Sequence, residues 1–130
     1  MKTLSVKQGH AHAIIHGVEQ PDGSRLFKDV ENRSRLTHLR GRIAIHACQY
    51  DPKELRETLE FWRERGIAER LPGLMRYGAV IGTVEIYDCV TAYDSPFFVG
   101  PYGYLLRNPV AIDPVTVAGH LGFWDWEPPA

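Results

Sequence analysis

This chain lacks an excess of charge of either sign: fifteen Lys and Arg stand against sixteen Asp and Glu, for a formal net charge of −1. A global basic field that would hold nucleic acid non-specifically is therefore excluded, and any contact with nucleic acid must be local. Cysteine is scarce as well. Cys48 and Cys89 sit far apart in non-motif contexts and are expected to pack as small hydrophobes in a reducing cytoplasm. Neither a signal peptide nor a long apolar run is read, so no membrane association is expected. There is no internal repeat. What the chain does have, 44% hydrophobic and 11% aromatic residues over 130 positions, is enough for one domain, residues 1–130, whose core needs no disulfide or metal.

Periodicity places the elements. Residues 3–7 read as a short strand and residues 10–17 as a short helix carrying Ile14 and Ile15, with Gly17 at its end. A polar, turn-rich loop over residues 19–24 leads into an extended piece in which Glu31 and Arg33 point one way and Val30 and Asn32 the other. Residues 42–47 alternate as a half-buried strand, with Ile43, Ile45 and Ala47 on one face and Arg42, Ala44 and His46 on the opposite one. Asp51 and Pro52 are a cap and first helical residue, and Leu55, Leu59 and Trp62 mark the apolar face of a helix that Gly66 closes. Residues 78–93 form a long β-rich run, an aromatic loop follows over residues 95–103, and residues 104–112 and 118–126 read as closing strands separated by an Asp113-Pro114 turn. The sum is an α+β domain with a curled or barrel-like sheet and flanking helices.

The chemistry concentrates around Lys28-Asp29-Val30-Glu31-Asn32-Arg33-Ser34. A lysine, a carboxylate and a guanidinium spaced Lys-x-x-Glu-x-Arg at a strand start are placed to form a polar pocket; an ion-pair network bracing the sheet is the plainer reading. Arg33, Arg35, His38, Arg40 and Arg42 form an acid-free basic run, suited either to positioning phosphates or to a solvated loop. Glu85 stands in an otherwise mostly uncharged strand and must reach solvent, pair with a cation or be neutralised; Lys28 and Arg33 are the expected partners. His12 and His16 lie one helical turn apart beside His10, but no cysteine or carboxylate joins them at ligand spacing, so neither a metal nor another cofactor is expected. His46 shares strand parity with Arg42 and could face the same cleft, but a satisfied, partly buried histidine is the plainer expectation. Gln8 has an amide suited to a base edge or to a loop hydrogen bond.

These residues resemble the ASCH domains, whose sheet barrel is similar to that of the PUA domains of RNA-modifying proteins. The resemblance covers nearly the whole chain and rests on Leu4-Ser5-Val6-Lys7-Gln8, the Lys28 to Ser34 motif, Arg40-Gly41-Arg42 leading to Ile45-His46-Ala47, and Gly82-Thr83-Val84-Glu85. Later it includes Ser95-Pro96, Val99-Gly100-Pro101-Tyr102-Gly103-Tyr104 and Gly119-His120-Leu121-Gly122-Phe123-Trp124. It implies a PUA-like curled β-barrel with a cleft for RNA, DNA or a modified nucleobase. Some small members are hydrolases that remove acyl groups from the exocyclic nitrogen of cytidine, and ribonuclease activity is also known in the family. Such hydrolases combine a lysine, a threonine three residues later and a distant glutamate. Lys28 and Glu85 match that pattern, whereas Glu31 occupies the threonine's place and Leu26 the place of a signature glycine, so a covalent threonine mechanism is not expected.

The resemblance and the residues together give a nucleic-acid or modified-nucleobase binding domain. RNA, a single-stranded nucleic acid or a modified nucleoside is the expected partner, and no pattern sets an oligomeric state. Gln8, Lys28, Asn32, Arg33 and Tyr102 are expected to line the cleft, Tyr102 stacking on the base, with Arg35, Arg40 and Arg42 on flanking phosphates. The alternative is an amidohydrolase of N4-acylated cytidine, or a ribonuclease, with Lys28, Glu31 and Glu85 as catalytic residues and water as nucleophile. A non-catalytic interaction module is the third.

Overall fold

The computed structural model describes residues 1–129. Its elements follow one another as β1 (Lys2–Val6), α1 (His10–Ile15), β2 (Val18–Glu19), β3 (Arg25–Leu26), β4 (Val30–Arg33), β5 (Gly41–Ala47), α2 (Pro52–Glu64), β6 (Ala79–Val90), β7 (Tyr102–Thr116) and β8 (Phe123–Asp125). Six strands form one curled sheet in the order β4-β7-β6-β5-β1-β8, and β2 with β3 makes a small ribbon apart. Neighbouring strands are antiparallel except β1 and β5, whose parallel pairing follows from the long crossover through α1 and the ribbon. The mixed α+β character and the curled sheet match the expectation from the pattern. Among the described residues no helix is long and apolar enough to cross a membrane.

Bulges produce the curl. Between Thr83 and Glu85 on β6 the partner strand advances from Val110 to Arg107, so β7 carries an extra residue there, and Asn108 occupies it with φ of 55°. Asparagine tolerates that left-handed backbone, and the following Pro109 has no N–H to lose from the ladder. A larger irregularity absorbs Asp113-Pro114: the step from Val80 to Gly82 is matched by the step from Val115 to Ala111. Here the expectation of a turn is corrected. Proline's missing donor is accommodated by a bulge, and β7 runs unbroken from Tyr102 to Thr116.

The concave side is filled by Leu4, Val6, Ile14, Ile43, Ile45, Val84 and Ile86, all essentially out of solvent. Gly82 lets α1 sit down on the sheet, because a Cβ there would lie 2.6 Å from the Val110 carbonyl oxygen and 2.7 Å from Ile15 Cγ2. A second cluster gathers Trp62, Val18, Val30 and Phe97 beneath α2. This helix begins as its sequence dictates: Asp51 accepts from the Lys53 amide at 2.9 Å, Pro52 follows, and Gly66 leaves the helix with φ of 72°. The strand expected over residues 118–126 is shorter. β8 pairs with β1 only from Phe123 to Asp125, and residues 117–122 instead run across the end of the sheet.

Candidate functional site

At the C-terminal ends of β1, β4 and β5 an open cleft of about 560 Å³ lies against residues 119–122. Glu31 and Arg33 reach it from β4, Ser5 from β1, His46 from β5, and His10 from the start of α1. Strand alternation explains the convergence. Val30 is turned into the core, which sends Glu31 and Arg33 to the other side together, as the sequence pattern requires.

The Glu31 carboxylate organises the site. One oxygen is held by the Lys28 ammonium; the other accepts from Arg33 Nη2 at 2.7 Å and Nε at 3.1 Å. Burial is the largest influence on this carboxyl and pushes its pKa up, but the charges of Lys28 and Arg33 and the Lys28 hydrogen bond outweigh it, leaving a value of about 2. Glu31 is thus an anion at any neutral pH. Arg33 also donates from Nη2 to the Ser5 carbonyl at 2.9 Å, while its Nη1 has no protein hydrogen-bond partner among the described residues. Glu31 and Arg33 both line the cleft.

Lys28 itself is 3% exposed and does not line the cleft. It stands behind Glu31, with its backbone amide bonded to the Ala13 carbonyl at 2.9 Å. The three expected charges therefore meet, but two face the ligand space and the third supports them.

Other expected site residues are placed elsewhere. Asn32 donates to the Phe97 carbonyl at 2.9 Å and accepts from the amides of Val99 and Gly100 at 2.8 and 3.0 Å, so its amide pins the aromatic loop. Gln8 is buried, accepting from the amides of Gly9 and His12 and donating to the Arg76 carbonyl. Tyr102 packs half-buried against the core and lies outside the cleft lining, as do Arg35, Arg40 and Arg42. Arg42 donates to Thr83 Oγ1 at 2.9 Å and to the Asn108 carbonyl at 3.0 Å. Arg40 bonds the carbonyls of Thr37 and Leu39, and the Arg35 carbonyl accepts the Tyr104 hydroxyl at 2.7 Å. Glu85 pairs with Arg107 at 2.8 Å and Asn108 at 3.3 Å, contacting neither Lys28 nor Arg33. That pairing corrects the expected one: the Asn108 bulge brings these two side chains to it, and they hold its carboxyl below the ordinary value.

Ser5, Lys7 and His120 line the cleft although the sequence motifs that contain them gave them no role, and Gln49 escaped sequence reasoning altogether. Ser5 was legible in principle, since it alternates with the core residues Leu4 and Val6. Lys7 and His120 owe their place to chain crossings that no local pattern encodes. His10 sits edge-on to Phe61 and Trp62 at ring-centroid distances of 5.8 and 6.1 Å. Burial, then the Lys28 charge, lower its pKa to about 3, so it faces the cleft as a neutral ring. His12 and His16 belong to a different cleft with Arg25 and Arg70, and among the described residues no group of three or more potential ligands could hold a metal ion.

No family model matches this chain, and no curated protein matches it either.

Proposed function

We propose that the chain is a PUA-like, ASCH-type module whose cleft receives a single nucleobase, from RNA, another single strand or a modified nucleoside. One observation carries the reading: the ionised Glu31 and the unoccupied Arg33 Nη1 present an acceptor beside a donor. A base edge bearing an N–H next to a carbonyl, or a ring nitrogen next to an exocyclic amine, is the complement of that pair. Lys28 keeps the acceptor ionised and oriented. The imidazole of His120 offers an exposed flat surface at the rim, a role the sequence assigned to Tyr102, and Lys7 offers a charge for a phosphate. A reducing cytoplasm, where such ligands reside, fits the two unpaired cysteines.

The acylcytidine amidohydrolase reading, with Lys28 and Glu85 as its active groups, is less well supported, because Glu85 is bound to Arg107 and lies outside the cleft. Calorimetric titration with a panel of unmodified and modified nucleosides and short single-stranded RNAs tests the binding reading. Retention of a ligand by wild type, weakened at least about tenfold by Arg33→Met and unchanged by Tyr102→Ala, is expected. A panel that gives no heat at millimolar ligand, or binding indifferent to Arg33→Met, overturns it.

A further inference from the structure

The cleft contains a nucleophile and a base that the nucleobase reading does not use. Ser5 and His46 are register partners on the parallel strands β1 and β5, and Ser5 Oγ lies 3.1 Å from His46 Nδ1. The other ring nitrogen, Nε2, is 2.7 Å from the Val117 carbonyl oxygen. A carbonyl can only accept, so Nε2 carries a proton; in the neutral ring Nδ1 is then the acceptor and the serine hydroxyl its donor. Trp124 Nε1 donates to the same Ser5 Oγ at 3.1 Å. Each hydrogen-bond role is thereby assigned: an orienting carbonyl, an imidazole of fixed tautomer, and a hydroxyl aimed at it.

This is the arrangement that activates a serine, with a backbone carbonyl where a carboxylate often stands. Ser5, His46 and Gly119 all line the cleft. A Cβ at Gly119 would lie 2.6 Å from His46 Cε1 and 2.7 Å from Ser5 Oγ, so a larger residue there would collide with both reacting groups. Attack places negative charge on the acyl oxygen of the ester, and Arg33, which lines the same cleft, supplies a cation on its wall.

We propose that Ser5 and His46 form an acyl-transfer pair, hydrolysing a small acyl ester that enters the cleft. Ser5 Oγ bonds to the acyl carbon as its proton passes to His46 Nδ1. The carbon–oxygen bond to the leaving group breaks, and that proton goes to the departing alkoxide. Water then adds to the acyl-serine, giving a proton to Nδ1 that returns to Ser5 Oγ as the free acid leaves. The pair needs no metal or redox partner for this sequence, and it does not depend on the nucleobase reading.

Full-length protein is incubated with p-nitrophenyl acetate, with nitrophenolate release followed optically and the acetylated residue mapped by peptide mass spectrometry. The expected result is acetyl on Ser5, with release slowed at least about a hundredfold in Ser5→Ala and His46→Gln. Gly119→Ala, which retains both reacting groups and crowds them, is expected to slow it as well. Circular dichroism melts verify that each variant is folded. Acetyl found only on lysines or other histidines of the wild type overturns the proposal, without any need for a variant. So does a Ser5→Ala rate within twofold of wild type. Nucleoside titration is a separate measurement, so either reading can fail alone.

Discussion

Arg33 closes the open side of the curled sheet onto Ser5: its Nη2 donates to the Ser5 carbonyl at 2.9 Å while holding Glu31 Oε2 at 2.7 Å. β4 and β1 share no ladder, so one planar guanidinium joins the two strands and faces the cleft at once. Lysine keeps the charge but lacks the fork that reaches both acceptors. Arg33→Lys is expected to lower stability by about 1–3 kcal/mol in urea unfolding and to weaken nucleoside binding. A stability within error of wild type would show that the closure is dispensable.

Lys28 and Glu31 form a buried pair whose members depend on each other. Lys28→Met is expected to cost on the order of 3–5 kcal/mol, since it strips one oxygen of a desolvated carboxylate of its partner. The double variant Lys28→Met/Glu31→Leu removes the carboxylate's desolvation cost as well and is expected to be more stable than Lys28→Met alone. Urea midpoints of wild type, Lys28→Met and the double variant decide this, and a double variant no better than the single refutes it.

Acid stability follows from the same residue. Glu31 titrates at about 2 when folded against an ordinary 4.5, so it contributes stability fully present above 4.5 and lost as pH falls toward 2, on the order of 3 kcal/mol. His10 is depressed too, from 6.5 to about 3, chiefly by burial, so its contribution is present above 6.5 and lost as pH falls toward 3. Stability is expected to decline from about pH 6.5 downward and more steeply below 4.5. In equilibrium unfolding across that range, Glu31→Gln should flatten the lower part and His10→Phe the upper.

Asn32 tests whether a residue of the motif is structural. Its amide makes three bonds to residues 97–100, so Asn32→Ala is expected to destabilise by about 2–4 kcal/mol and to speed hydrogen exchange of the Val99 and Gly100 amides. Unchanged exchange at those amides contradicts the assignment.

Glu85 serves as the contrasting case. Its partners are a half-exposed arginine and an exposed asparagine, so Glu85→Gln is expected to leave the urea midpoint close to that of wild type and nucleoside affinity unaltered. A large loss of either would reinstate Glu85 as a functional residue.

Local signals were reliable where local chemistry decides. Asp51, Pro52 and Gly66 delimit α2 because capping, a missing N–H and a positive φ are properties of single residues. The alternation of Val30, Glu31, Asn32 and Arg33 likewise puts the acid and the guanidinium on one side. Asp113-Pro114 misled, because a proline that ends a strand and one that sits in a bulge look alike until the partner strand's register is known. Tyr102 misled for a related reason: the pattern puts it in the aromatic loop, but it begins β7 opposite Arg33 and its side chain packs against the core.

By itself the sequence determined the α+β class, the bounds of α2, and that the charges of Lys28, Glu31 and Arg33 would meet, since these depend on periodicity and short spacings. Tertiary structure alone decided that Lys28 stands behind the cleft, that Glu85 belongs to Arg107, and that Ser5 and His46 touch. Each of these depends on register and bulges between strands 22 or more positions apart in the chain, and on the path of residues 117–122 across the sheet end. Side-chain contacts at that separation are set by packing of the whole domain, which no local spacing encodes.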